Sequence, residues 1–199
     1  YGGSRGYKEF KYNSEDDRDL TPDEINAQWA EDKLSELASS DNKEPFFLAV
    51  GFVRPHTPLI APQKYFDLYP LEDIQLANIL ENDKEDTFRN YITDHDTNLK
   101  DLEVKSSSLT HKQLKKRWIE MFEKLQNSYQ DPNEGLRRFT QAYLACVSAV
   151  DDNIGQVVNA IDNSELKDNT IIVLVSDHGW TMGEKEHIYK NSPWEESTR

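Results

Sequence analysis

Thr170-Ile171-Ile172-Val173-Leu174-Val175-Ser176 runs directly into Asp177-His178-Gly179, and the assignment of a fold turns on this stretch. The apolar part is short, rich in β-branched residues and preceded by the polar break Lys167-Asp168-Asn169. That pattern predicts a strand covered on both faces in a parallel or mixed sheet. Ligands of open α/β sheets gather just beyond the carboxyl ends of strands. Here the sequence sets a carboxylate, an imidazole and a glycine that permits close backbone approach. The pair reads as metal ligands in an enzyme. An ordinary polar turn accounts for an isolated Asp-His-Gly equally well, so the flanking sequence has to discriminate.

Toward the N-terminus, Phe46–Phe52 is a second continuous apolar run, read as another buried strand, and it ends in Arg54-Pro55-His56-Thr57-Pro58. Proline on both sides of His56 stiffens the backbone and sets where the imidazole points; the plainer reading is an exit turn with a surface histidine. Tyr65, Phe66, Leu68 and Tyr69 are expected to pack that loop down. Thr21-Pro22-Asp23-Glu24 combines a capping threonine, a proline at the first helical position and a glutamate that completes a capping box. It predicts a helix ending near Ser39-Ser40, with Ala27, Ala30, Leu34 and Leu37 facing a sheet and no chemistry of its own. Asp131-Pro132 opens the longest helix, with Tyr143, Val147, Val150, Ile154, Val157 and Ile161 along one side and Asp151-Asp152 away from that stripe or near its edge, facing solvent or supporting a site rather than serving as ligands. Tyr1–Asp19 reads as loop. Thr110–Gln113 offers another cap, and Leu114, Trp118, Met121 and Leu125 continue at core spacing. Asp94-His95-Asp96 lies in an acidic stretch with nothing converging on it and reads as solvated surface.

Three separated segments, in order, carry a resemblance. Tyr143 to Trp180, Met182-Gly183-Glu184-Lys185-Glu186-His187 through Lys190 to Arg199, and Pro45 to Pro58 resemble the formylglycine-dependent sulfatases of the alkaline-phosphatase-like superfamily. Within that family the segments are similar to the iduronate-2-sulfatase-like and choline-sulfatase-like branches. The resemblance implies an α/β fold: part of an alkaline-phosphatase-like domain, a mostly parallel mixed sheet with helices on both faces. Residues 1–199 would form a single, incomplete catalytic domain, with the nucleophile segment and the C-terminal part outside it. It also implies export to periplasm, cell surface or lysosome.

By that resemblance Asp177 and His178 correspond to two metal ligands, and the implied ion is Ca²⁺. Calcium prefers oxygen donors and imidazole suits zinc better, which keeps a metal-dependent phosphatase or phosphodiesterase of the same superfamily in view. Lys190 corresponds to the lysine that contacts the sulfate, where a compact ammonium pairs with a non-bridging oxygen. His56 corresponds to the histidine of a Lys-Pro-His-x-Pro pattern, placed to hydrogen-bond the leaving oxygen or give it a proton. Arg54 replaces the lysine of that pattern and is given no catalytic role. His187 and Trp194 border the pocket in relatives, making His187 a candidate substrate contact. No Cys-x-Pro-x-Arg or Ser-x-Pro-x-Arg occurs in the chain, so it lacks the residue that becomes formylglycine and is expected to be inactive alone. The function inferred for the parent enzyme is calcium-dependent hydrolysis of a sulfated sugar or other small sulfate ester. A catalytically dead relative that binds sulfated glycans is the third reading.

Composition bounds these readings. A net charge of −14 excludes a general nucleic-acid binder, which needs a basic face. The same charge repels polyanions at long range, so a sulfated substrate requires positive charge concentrated locally, from Lys190 and a bound cation. No apolar run is long enough to span a membrane. The single Cys146 has no internal disulfide partner, and its setting in Leu144-Ala145-Cys146-Val147-Ser148 reads as a small buried hydrophobe.

Overall fold

A computed structural model of the chain describes residues 10–41, 44–80, 120–190, 192 and 194–198. The chain is a helix-rich α/β protein that folds as two compact units, residues 1–74 with 141–174 and residues 75–140 with 175–199. Asp94-His95-Asp96, the cap at Thr110–Gln113, Leu114 and Trp118 lie outside the described residues.

In the first unit, the segment expected to be loop carries an antiparallel hairpin, β1 (Tyr12–Ser14) against β2 (Asp17–Arg18). Lys11 pairs with Asp17, and Asn13 donates to the same carboxylate at 2.8 Å. These local polar contacts supply what apolar periodicity does not signal. Helix α1 (Pro22–Ser39) begins as its capping residues dictate: the Thr21 hydroxyl accepts from the Glu24 amide at 3.3 Å, and the Glu24 carboxylate accepts from the Thr21 amide at 2.7 Å. The Arg18 guanidinium clamps both Glu24 oxygens at 2.6 and 2.7 Å, holding the hairpin to the start of the helix. Ala27, Ala30 and Leu34 are buried, whereas Leu37 is half-buried.

Helix α2 (Gln63–Phe66) packs Tyr65 onto helix α3 (Pro132–Asp162) through Ala145 and Ala149, with Ala61 and Phe66 beside them. Tyr65 also donates to Asp152 at 2.8 Å, and Tyr69 shares a 2.6 Å hydrogen bond with Ser148. The buried line of α3 is not the expected one. Along α3, Ala145, Cys146, Ala149, Asn153 and Ile161 are buried, while Tyr143, Val150, Ile154 and Val157 are half-buried and Val147 is exposed. Small side chains let an aromatic ring approach the helix closely, so the tightest contact runs beside the bulky stripe that periodicity selects.

The two apolar runs require a correction. Phe46–Phe52 and Thr170–Ser176 form no ladder and are not buried: Phe47 is 94% exposed and Ile171 91%. Among the described residues the sheets are two antiparallel ribbons, and no parallel sheet is present. A strand apolar on both faces is buried only when helices cover both sides and strands pair at both edges. The described residues provide neither.

In the second unit, Phe122, Leu136 and Ile188 form a core joined by Leu76, Ile79, Met121, Leu125, Phe139 and Tyr189. Residues 120–126 are helical, and at Gly135 a Cβ would collide with the Leu125 carbonyl oxygen, so this crossing needs glycine. The ribbon of β3 (Thr181–Met182) and β4 (Ile188–Tyr189) pairs Thr181 with Tyr189 and Met182 with Ile188. A one-turn helix, α4 (Glu195–Thr198), closes the described chain.

Candidate active site

Asp177 and His178 stand where the extended run ends. The imidazole Nδ1 of His178 lies 2.8 Å from the Gly179 carbonyl. A carbonyl only accepts, so Nδ1 carries a hydrogen and Nε2 is the nitrogen turned toward Asp177. This Nε2 lies 3.2 Å from Oδ2 of Asp177, the distance of an ion pair when the ring is protonated. Two ligands at about 2.3 Å from one ion and a right angle apart sit about 3.3 Å from each other, so the two donors are spaced to share a cation. Among the described residues no third His, Cys, Asp or Glu joins them. The donor set fits a metal as one part of a coordination shell. Gly179 donates its amide to the Ser197 carbonyl at 3.1 Å, tying this end to α4.

Beyond Gly179 the chain is held by packing. Trp180 is buried against Tyr189 at 5.3 Å between ring centroids and against Phe139 at 6.4 Å, and Phe139 meets Tyr189 edge-on at 5.2 Å. Thr181 is fully buried; its hydroxyl donates to the Tyr189 carbonyl at 2.6 Å and so accepts from Nδ1 of His187 at 2.9 Å. Burial pushes the His187 pKa down, which keeps the ring neutral. Between the strands, Gly183 has φ +123°, and Lys185, Glu186 and Tyr189 also adopt positive φ. Left-handed backbone at three non-glycine residues stores strain, and such clusters occur where a side chain must be aimed. Tyr189 at φ +77° immediately precedes Lys190, which is half-buried and has no carboxylate partner among the described residues.

His56 belongs to the first unit. Its ring Nδ1 donates to the Thr57 carbonyl at 2.7 Å, which fixes the plane of the imidazole. The side chain is exposed on a turn whose peptide bonds to Pro55 and Pro58 are cis. Arg54 does not aim its charge outward: Nε donates to the Ile60 carbonyl at 2.7 Å and Nη1 to the His56 carbonyl at 3.1 Å, so it staples the turn. The helix expected to carry no chemistry supplies the turn's anchor. Asp23 of α1 is 2% exposed and accepts the amides of Val53 at 2.8 Å and Arg54 at 2.9 Å, while Asn26 donates to the Gly51 carbonyl at 2.9 Å.

Asp177, His178, His187 and Lys190 thus share the second unit, and His56 stands in the first. Sequence reasoning missed Asp23, Thr181 and the aromatic trio. Only Asp23 left a signal, as a second acid in the first turn of a helix that already had its capping glutamate. Cys146 is fully buried, and burial pushes its thiol up to about 11, which makes it inert packing. No described helix is long and apolar enough to cross a membrane.

A family model described as sulfatase matches residues 2–199. The chain is 39% identical over 181 residues to a sulfatase of Formosa agariphila, covering 90% of this chain and 30% of that protein. It is 30% identical to human iduronate 2-sulfatase over 180 residues, covering 89% and 29%. Among solved structures it is similar to the YidJ sulfatase of Bacteroides fragilis, with a TM-score of 0.54 and 27% identity over 89% of this chain and 29% of that one. The chain therefore spans about 30% of the length of these relatives. With three motifs in family order, an Asp-His pair spaced to share a cation, and a family match across nearly all its length, the chain belongs to the sulfatase family.

Proposed function

We propose that the protein containing this chain hydrolyses sulfate esters, with a sulfated sugar as its substrate. The observation that carries this reading is the convergence of Asp177 Oδ2 and His178 Nε2 at 3.2 Å, on the same unit as the strained turn that presents Lys190. Asp177 and His178 would hold Ca²⁺ together with ligands from other segments. When bound, that ion offsets negative charge on the sulfuryl oxygens, which otherwise repels a nucleophile. Lys190 pairs its ammonium with a non-bridging oxygen. His56 gives its Nε2 proton to the leaving oxygen as the S–O bond breaks. His187, neutral and bound to Thr181 through Nδ1, accepts a substrate hydroxyl at Nε2. The nucleophile is the family's formylglycine, whose motif has no counterpart in residues 1–199. Export from the cytoplasm is part of the same reading and is checked by fractionation.

The imidazole of His178 favours one competing reading, a zinc phosphatase or phosphodiesterase. The full-length protein should be assayed for sulfate release from sulfated monosaccharides and for phosphate release from mono- and diesters, with its metal content measured. Sulfate release with one calcium per chain supports the proposal. Two zinc ions and phosphate release without sulfate release would overturn it, and tight binding of sulfated glycans without turnover would point to a dead relative.

A further inference from the structure

We infer that Asp23 is a positioning residue for His56, setting the direction in which the imidazole presents Nε2. This rests on the sulfatase reading above and on His56 as the proton donor.

The geometry is specific. Asp23 is buried, yet among the described residues no cationic side chain bonds it; its two oxygens are spent on the consecutive amides of Val53 and Arg54. Burying a carboxylate is costly unless it is fully hydrogen-bonded, and two backbone donors in the first turn of a helix, where the dipole favours negative charge, are what make it tolerable. The two amides lie immediately ahead of Pro55-His56, in a segment that no strand ladder holds among the described residues. From there each link is a directed bond. The His56 amide donates to the Val53 carbonyl at 2.9 Å, the Arg54 side chain holds the carbonyls of His56 and Ile60, and the His56 ring is oriented by the Thr57 carbonyl. Rotating the Val53–Arg54 peptides would therefore turn the imidazole with them. Asparagine at position 23 is isosteric but wrong in chemistry: its oxygen can accept one amide, while its NH₂ would face the other donor.

The test exploits the leaving group. An alkyl sulfate of a sugar needs a proton as its S–O bond breaks, whereas 4-nitrophenyl sulfate releases a stable phenolate and does not. In the full-length enzyme, D23N should lower kcat on the sugar sulfate about 100-fold, as expected for a misaligned proton donor, with KM little changed and the loss on the aryl ester below about tenfold. R54Q, which leaves Asp23 in place but cuts the ties to His56 and Ile60, should show the same selectivity more weakly. Equal losses on both esters in D23N would overturn the inference, because a merely structural defect does not distinguish leaving groups. H56A separates the two levels. If H56A is selective and D23N is not, only the positioning role fails; if H56A is itself unselective, His56 is not the acid and both fail. Hydrogen exchange at the Val53 and Arg54 amides gives a readout independent of turnover. Exchange should be slow in the wild type and at least tenfold faster in D23N, and unchanged rates would overturn the hold that Asp23 is assigned.

Discussion

The His56 turn and the Asp177–Lys190 segment are held by opposite means. The turn has little apolar burial and is positioned by charged side chains bonded to backbone, Asp23 from below and Arg54 across its mouth. The segment has Asp177-His178 at one end and Lys190 at the other, with a two-stranded ribbon and a cluster of tilted and edge-on aromatic rings between them. The His56 imidazole is thus aimed by a few directional bonds. Asp177-His178 and Lys190 are instead separated by a packed backbone with left-handed residues at 185, 186 and 189.

This contrast is most exposed at the ligand pair. D177N in the full-length protein keeps the shape but removes the charge; about a 1000-fold loss of sulfate release is expected, together with loss of calcium measured by elemental analysis. Next comes the packing. W180A should cost about 3–5 kcal/mol in denaturant unfolding and should lower Lys190-dependent activity while leaving the Val53 and Arg54 amides protected. T21A probes the directional side: loss of the cap should cost about 1 kcal/mol and speed exchange at the Val53 and Arg54 amides without touching the 181–189 ribbon. The smallest effect is a pH dependence. The Cys146 thiol has its pKa raised by burial from 9.0 to about 11, so folding favours the neutral thiol. That contribution is complete below pH 9, declines as pH rises toward 11, and is lost above it. An unfolding titration over this range should show a falling slope that C146A removes.

Some of this was legible in the chain. Thr21, Pro22 and Glu24 announced the start of α1, and Asp131-Pro132 announced α3, because caps are satisfied by residues a few positions away. The Asp-His-Gly after an apolar run marked the candidate ligands for a similar local reason. Other features were not legible. Asp23 serves amides 30 and 31 residues away, and periodicity assigns it only to a helical turn. Ala145 and Ala149 outrank Val147 and Val150 because of where Tyr65 docks. The apolar runs at 46–52 and 170–176 read as buried, but burial belongs to the neighbours that cover a strand, and here they are exposed.

Helix starts, the residue types capable of metal, sulfate and proton chemistry, and the family pattern that orders them are therefore written in the chain itself, since each depends on covalent neighbours or on side-chain identity. Folding had to settle that a buried aspartate grips the His56 turn, that Thr181 bonds Nδ1 of His187, and that Arg54 ties the carbonyls of His56 and Ile60 together. Those outcomes depend on hydrogen-bond geometry between segments distant in sequence or folded sharply back on themselves, where a change of direction by one peptide plane exchanges a donor for an acceptor.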